Sequence, residues 1–400
     1  MHRLQGRPHI AATIRLFAFF FLIVPVGMAC AQGASQADIR RADQQADESK
    51  ETVTKPKPAR RAAVRPSKVQ RKSAAASRPV SPAPTAAPLP AGDLAKRTAA
   101  ELEALIAEQR NVVKSAARDE TARRNLGLIS VEAANRILQA QSLGHAQEVS
   151  AYVALIRTSL GDTLWRVTQL AREDPVRAQA ALGLYYADGI LVPVDLVRGC
   201  DYFAKAAGAG QLAAAYRAAQ CLSKAEPESA QRWLEQSAVG GNPAAQETMG
   251  RACIEGASID AACAKKWLQP AAAQGRVSAI SVLAWLYARE GTQESLSQAS
   301  NLYRAAAEAG DFAAQNNLGE LFETGRGVPR EPAQALGWYR KSAESGFAPA
   351  QFNLARLLAF GIGTERDSAA AREWATRAQG QGIAQAAELL KLIADAEEPR

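Results

Sequence analysis

Residues 318–351 read LGELFETGRGVPREPAQALGWYRKSAESGFAPAQ, and their pattern recurs along the C-terminal half of the chain. The glycine near the end of this stretch has counterparts at intervals of 31, 34, 35, 36 and 36 residues. These glycines are Gly210, Gly241, Gly275, Gly310, Gly346 and Gly382. A nearly fixed period in this range is typical of a solenoid of stacked repeats.

Three further columns of residues keep step with the glycines. An alanine follows each glycine by four residues: Ala214, Ala245, Ala279, Ala314, Ala350 and Ala386. A small residue follows the first five glycines by nine: Ala219, Gly250, Ala284, Gly319 and Ala355. A large apolar residue precedes each glycine by eight: Tyr202, Trp233, Trp267, Leu302, Trp338 and Trp374. Four aligned columns over some 200 residues do not arise by chance.

The columns predict a repeat made of helix A, a short loop, helix B and a turn at the glycine. Glycine suits a left-handed C-terminal cap because a side chain would clash there. Small residues on helix A let helix B approach closely, and we expect the aromatic column to fill the core between them. One such pair cannot bury its apolar face alone, so the repeats must stack. The expected fold class is all-α, an α/α solenoid of helix–turn–helix repeats.

Residues 318–329, 338–346 and 350–351 resemble the Sel-one-like repeat, a relative of the tetratricopeptide repeat. The segment from Leu182 to Gly189 is similar to the opening of the same repeat. The second repeat departs most, since it has Ala218-Ala219 in place of the Leu-Gly pair, and the fourth lacks the Gly-x-Gly loop. The resemblance implies about six repeats over residues 174–393, a right-handed superhelix and a protein that serves as an adaptor. Residues 394–400 would form a short tail.

The charge of the chain is unevenly distributed. The formal net charge is +8, but residues 93–400 hold 33 Lys and Arg against 35 Asp and Glu. The region that we expect to fold is therefore close to neutral. A basic face for nucleic acid is not supported, so we expect no nucleic-acid partner.

The N-terminus has the pattern of an export signal. A basic start is followed by an unbroken apolar run from Leu16 to Val24, and Ala29 and Ala31 supply the small residues that signal peptidase requires. We therefore expect a signal peptide over residues 1–31, cleavage after Ala31 and a periplasmic or secreted protein. The alternatives are an uncleaved anchor in the inner membrane and, less favoured, a lipoprotein on Cys30.

Residues 32–92 are expected to form a disordered basic linker. Residues 52–92 hold eight prolines and nine Lys and Arg without an acidic residue. Such a stretch buries too little apolar surface to offset the entropy of ordering it. We favour a solvated spacer, and the alternative is attachment to an anionic envelope surface such as lipid headgroups or cell-wall polymer.

Residues 93–173 predict further helices. Asp93 would cap a helix that starts at Leu94, and Ser130 would cap another that runs to Gln141. Two more helices are expected over residues 149–160 and 163–172. The pattern leaves open whether this region consists of degenerate repeats or of a separate helical cap.

Four cysteines follow the expected cleavage site, and sequence alone permits three pairings. The repeat arrangement favours one of them. Cys253 ends a helix A and Cys263 begins the helix B of the same unit, while Cys200 begins a helix B beside the end of helix A at Cys221. We predict the disulfides Cys200–Cys221 and Cys253–Cys263, with free buried thiols as the alternative. The spacing does not suit zinc, and we expect no metal or cofactor.

No catalytic motif stands out in the sequence. The expected mature chain has a single histidine, His145, and shows neither a serine nucleophile elbow nor a phosphate loop. We therefore expect an exported scaffold or adaptor, regulatory in the bacterial envelope, rather than an enzyme. The alternatives are an envelope hydrolase that acts on cell-wall or β-lactam-like substrates and a protein whose active part is the linker itself.

A protein or peptide partner is expected in a concave groove lined by the A helices, as in tetratricopeptide-like superhelices. Trp285 lies outside the aromatic column and is either an exposed anchor beside an arginine or a contact with the neighbouring repeat. Asn316 and Arg356 are hypothesised to hold a carboxylate of an extended peptide. The predicted groove residues are Tyr216, Glu247, Arg251, Trp285, Arg289, Asn316, Glu320, Phe352 and Arg356.

Overall fold

The computed structural model describes residues 86–115, 119–158, 163–255 and 258–396. Every regular element in these ranges is an α-helix, which confirms the all-α prediction. The described residues do not include residues 1–85, which contain the expected signal peptide and most of the expected linker, or residues 397–400. No helix in the described ranges is both long enough and apolar enough to cross a membrane.

Five helices precede the repeats. They are α1 (Ala91–Leu94), α2 (Ala99–Ser115), α3 (Glu120–Leu143), α4 (Ala146–Arg157) and α5 (Thr163–Glu173). The helix that was expected to start at Leu94 is divided, because Thr98 and Glu101 form a capping box that starts α2. The helix that was expected to start at Ser130 begins ten residues earlier, where Asp119 accepts a hydrogen bond from the Ala122 N–H. Ser130 is buried in the middle of α3.

Residues 86–90 lie extended along α3. The backbone N–H of Leu89 donates to Asn125 Oδ1 at 3.0 Å, and Asn125 Nδ2 donates to the Ala87 carbonyl at 2.8 Å. The N–H of Ala86 donates to the carboxylate of Asp119 at 3.2 Å. The last residues of the expected linker thus contact the helical region.

The remaining helices form six A/B pairs and a final A helix. The pairs are α6 (Pro175–Asp188) and α7 (Leu196–Gly208), α8 (Leu212–Leu222) and α9 (Pro227–Val239), α10 (Pro243–Ala252) and α11 (Ala261–Ala273), α12 (Val277–Glu290) and α13 (Gln293–Glu308), α14 (Phe312–Thr324) and α15 (Pro332–Glu344), and α16 (Ala348–Phe360) and α17 (Ser368–Gly380), followed by α18 (Gln385–Asp395). Each helix packs against the next along the chain, so the helices stack as consecutive pairs in a solenoid.

The periodic glycines and small residues have the predicted roles. All six periodic glycines have a φ between +84° and +97°, the left-handed region that favours glycine. On the A helices, a Cβ added to Gly250 would lie 2.6 Å from Leu268, and one added to Gly319 would lie 3.0 Å from the ring of Tyr339. The small column therefore sets the close approach of helix B to helix A.

The aromatic column lies at the edge of the core rather than at its centre. Its residues are half-buried, and in five of the six B helices the next residue is the fully buried one, as Phe203, Tyr303 and Tyr339 are. Basic side chains three residues further on cover the outer faces of Trp338 and Trp374. The expectation placed the core one residue too early because Trp is the larger side chain.

In three repeats, a glutamine five residues after the periodic glycine links the A helix to the B helix before it. The side-chain amides of Gln246, Gln315 and Gln351 donate to the carbonyls of Ala238, Ala307 and Ala343, near the ends of the preceding B helices. The N–H groups of the periodic glycines Gly241, Gly310 and Gly346 also donate to these carbonyls, so the glutamine adds a second donor at the end of each of these B helices. The contact fixes the turn between consecutive repeats.

Two disulfides join Cys200 to Cys221 and Cys253 to Cys263, the pairing that the repeat arrangement predicted. The Cα atoms of the two pairs are 5.7 Å and 5.9 Å apart. The first bridge connects α7 to the end of α8, so it ties the first repeat to the second. The second bridge closes the loop between α10 and α11.

Candidate functional site: the face of the A helices

All nine predicted groove residues lie on A helices, from Tyr216 on α8 to Arg356 on α16. We use the name A-helix face for the surface formed by the A helices α6, α8, α10, α12, α14 and α16. Its polar side chains connect neighbouring repeats. Ser281 on α12 donates to Asp311 at 3.2 Å, and Tyr216 on α8 lies 3.3 Å from the hydroxyl of Thr248 on α10.

Glu247 is a buried carboxylate held between two arginines. Its oxygens accept hydrogen bonds from Arg251 Nε at 2.7 Å, Arg276 Nε at 2.5 Å and the Ser278 hydroxyl at 2.6 Å. Burial raises the pKa of Glu247, but the two arginines outweigh it and the pKa is lowered overall. Glu247 and Arg251 therefore stabilise the junction between α10 and α12, and neither is available as a free charge.

Trp285 packs against the neighbouring repeats. Its half-buried side chain touches both the core formed by α11 and α12 and the core that starts at α13. The guanidinium of the exposed Arg289 lies 5.6 Å from the centre of its ring. Of the two alternatives for Trp285, the packing contact is the one that the structure favours, and the side chain stays partly exposed.

The hypothesis that Asn316 and Arg356 hold a carboxylate stays a prediction, and both side chains already have partners within the chain. Arg356 donates to both oxygens of Glu323, at 2.8 Å and 2.7 Å. Asn316 is buried, donates to Asn317 and accepts from Asn353 at 3.0 Å. Both groups are already engaged within the chain, so an incoming carboxylate would meet Glu323 rather than a free cation.

Glu320 remains as an acceptor on this face. Its carboxylate is half-buried and has no hydrogen-bond donor among the residues that the structure describes. Burial raises the pKa of Glu320 overall, although the nearby charges of Arg326 and Arg356 lower it; Glu323 raises it further. Phe352, on the next A helix, is half-buried against the same core. Glu320 and Phe352 thus offer a carboxylate and an apolar side chain on successive A helices, which suits a basic group on an otherwise apolar partner.

Helix α3 occupies the other half of the A-helix face. It contacts three successive A helices, α6, α8 and α10, and no B helix of the repeats to a comparable extent. The Tyr185 hydroxyl donates to the Ser130 carbonyl at 2.9 Å, and the side-chain amide of Gln211 donates to Asn135 at 3.2 Å. The face of the first three repeats is thus covered by the chain itself.

The C-terminal end of α3 is held by two arginines of the repeats. Arg217 on α8 donates to the side chain of Gln141 at 3.1 Å. Arg276, which precedes α12, donates to the carbonyls of Gln141 and Ser142 at 3.2 Å and 2.9 Å. These carbonyls carry the partial negative charge of a helix C-terminus, which a guanidinium satisfies well.

The repeats match a known family model. The Sel1 repeat model matches residues 176–211, 244–275, 278–311, 312–347 and 348–382. These five segments are Sel1 repeats. The second of the six A/B pairs, α8 and α9, lies between the first two matches, and it is the pair whose sequence departs most from the others.

The fold resembles that of a solved structure with an SLR fold. The chain is similar to c5321, described as a protective antigen present in uropathogenic Escherichia coli strains with an SLR fold. The two are 26% identical with a TM-score of 0.57, and the match covers 70% of this chain and 60% of c5321. A Sel1 repeat protein from Oxalobacter formigenes is 22% identical over 60% of this chain and 96% of its own, with a TM-score of 0.49. No curated protein matches the sequence.

Helices α3 and α5 pack closely at a glycine, as the A and B helices of the Sel1 repeats do, and whether they form a degenerate repeat stays open. A Cβ added to Gly127 on α3 would lie 3.1 Å from Leu170 on α5, which is the relation of Gly319 to Tyr339. Leu126-Gly127 and the capping residue Asp119 were the available sequence signals, since they match Leu318-Gly319 and Asp311 in spacing. The A helices of the later repeats end about 14 residues after the turn, so residues 133–143 of α3 form an additional segment, which we call the α3 extension.

The potential metal-ligating side chains of the described residues do not cluster. These residues contain no group of three His, Cys, Asp or Glu side chains placed to hold a metal ion. His145 is exposed and pairs with Glu148 at 3.0 Å, outside the Sel1 repeats. What the A-helix face offers is a row of apolar and polar side chains at fixed spacing, suited to contact with another chain.

Proposed function

We propose that this protein is an exported scaffold that binds a protein partner on the part of the A-helix face formed by α12, α14 and α16. The observation that carries the proposal is the division of this face. The α3 extension covers the first three repeats, whereas in the later repeats no described segment lies over the A helices. Sel1 repeat proteins bind other proteins, which supports a protein as the partner of this chain.

The chemistry of the open part favours an amphipathic partner with a basic residue. Phe352 and the partly exposed Trp285 offer apolar contact, and Glu320 offers a carboxylate that accepts no hydrogen bond from a described residue. The occupied half supports the same mode of binding, because there the A helices hold a helix through apolar contacts and a few polar ones. A helix with one Lys or Arg on its apolar face fits this surface.

A location outside the cytoplasm is supported by the two disulfides, because such bridges persist in oxidising compartments. The expected signal peptide agrees with it. We propose an envelope role on these grounds, with the basic linker as the spacer between the envelope and the repeats.

Capture of the partner by matched variants tests the proposal. The full mature chain, immobilised, would be exposed to an envelope extract as wild type and as Phe352→Ala, Glu320→Gln and Trp165→Ala. The first two changes lie on the open face, whereas Trp165 is an exposed aromatic on α5. We expect a protein that the wild type and Trp165→Ala retain and that the two face variants lose by about tenfold, or about 1.4 kcal/mol. Equal capture by all four would show that the face is not the binding site.

A further inference from the structure

An exposed apolar patch marks the junction between the first and second repeats. Its residues, Val194, Leu196 and Val197, are 61%, 48% and 60% exposed. Val194 lies in the loop before α7, and the other two begin that helix. Three adjacent aliphatic side chains at this level of exposure are unusual for a surface that contacts only water.

The equivalent position in later repeats is an interface within the chain. Leu196 lies seven residues before the buried Phe203, as Leu296 lies before Tyr303 and Pro332 before Tyr339. Leu296 is only 6% exposed.

A loop from the following repeat covers each of these later positions. A Cβ added to Gly327 would lie 2.6 Å from the Leu296 carbonyl oxygen, and one added to Gly363 would lie 2.6 Å from that of Pro332. The aliphatic residues beside these glycines, Val328 and Ile362, pack on the core.

The patch is open because the second repeat has a shorter loop. Only residues 223–226 separate α8 from α9, whereas residues 325–331 separate α14 from α15. Two other B helices are also followed by a repeat without a long A–B loop, and there the residue that corresponds to Leu196 is small. It is Ala261 in α11, where the next repeat has a two-residue loop, and Ser368 in α17, which only α18 follows. Leu196 alone combines a large aliphatic side chain with a missing loop.

We propose that Val194, Leu196 and Val197 form a receptor for a turn of a second protein, with a glycine at its apex and an aliphatic residue beside it. The geometry of the covered junctions defines this occupant, because only glycine approaches the backbone of the receptor helix closely enough. The site is separate from the A-helix face and stands whether or not that face binds a partner.

A peptide with the sequence of residues 322–331 is the probe, because it contains the loop that covers Leu296. Methyl-labelled mature protein would be titrated with it and followed by NMR. We expect saturable shifts confined to the methyl groups of Val194, Leu196 and Val197. The same peptide with valine in place of its second glycine, at the position of Gly327, should bind at least about tenfold more weakly.

Two variants of the protein complete the test. Leu196→Asp should abolish the shifts, whereas Val239→Asp, at a still more exposed valine on α9, should leave them unchanged. Absence of shifts, shifts elsewhere, or equal binding of the valine peptide would overturn the proposal. So would a dimer of the mature chain that Leu196→Asp dissociates, because a second copy would then be the occupant.

Discussion

At the scale of single residues, the glutamine that links an A helix to the preceding B helix accepts a hydrogen bond at its side-chain oxygen in two repeats and accepts none in a third. Gln274 donates to Gln246 Oε1 at 3.1 Å, and Gln381 donates to Gln351 Oε1 at 2.9 Å. In both cases the donor directly precedes the next periodic glycine. The equivalent donor for Gln315 would stand at residue 345, where the chain has a serine that bonds to the Lys341 carbonyl instead. Gln315 Oε1 is therefore buried without a partner.

Ser345→Gln should stabilise the protein by supplying this missing donor. The backbone at Ser345 has φ −75° and ψ 0°, close to the φ −82° and ψ 4° of Gln274, so the longer side chain can adopt the same path. A new hydrogen bond to a buried acceptor contributes about 1 kcal/mol. Thermal unfolding would measure it, with Ser345→Ala as the control that removes the serine without adding a donor. A melting temperature for Ser345→Gln no higher than that of the alanine variant would contradict the prediction.

The predicted site residues show what sequence can and cannot give at this scale. Their placement on A helices follows from the repeat period, and the structure agrees with it. The repeat period does not predict which charged side chains pair with one another, because the ion pairs Arg356–Glu323 and Glu247–Arg276 join different repeats. Their geometry depends on how each pair of helices is rotated against the next, which no local pattern encodes.

At the scale of elements, the small residues of the A helices set the distance between helices A and B. The period of glycines predicted each A/B pair because the left-handed turn and the close helix contact both require residues without bulky side chains. The start of α3 was missed because Ser130, a good capping residue, lies inside a longer helix whose actual cap is Asp119. Capping residues are common in helix interiors, so a cap by itself does not locate a helix start.

Gly250→Ala and Gly337→Ala should change stability in opposite directions. The methyl group of the first would lie 2.6 Å from Leu268, and overpacking of this kind costs about 2 kcal/mol. Gly337 lies on the exposed side of α15 with nothing within 4 Å of an added Cβ, so alanine there should stabilise by about 0.5–1 kcal/mol through helix propensity. Chemical denaturation of both variants measures the difference. Equal effects on the free energy of unfolding would show that α11 does not pack closely against α10 at Gly250.

At the scale of the whole folded region, the chain covers part of its own interaction surface. No described segment lies over the later A helices. The α3 extension lies across the A helices of the first three repeats, and Arg276 donates a hydrogen bond to its C-terminal end. The repeat pattern predicted the stacked helices but not this arrangement, since an amphipathic helix carries no signal for the face that it will cover. The division of the A-helix face is the claim on which the proposed function depends.

Hydrogen exchange measured by mass spectrometry on the full mature chain tests this division most directly. We compare the wild type with Arg276→Ala, which removes the donor to the α3 carbonyls, and with Glu247→Gln, which weakens the same ion pair but leaves that donor in place. We expect residues 133–143 to be as protected as α14 and α16 in the wild type and in Glu247→Gln, and to exchange at least about tenfold faster in Arg276→Ala alone. Exchange of residues 133–143 in the wild type at the rate of an unstructured peptide would contradict the account.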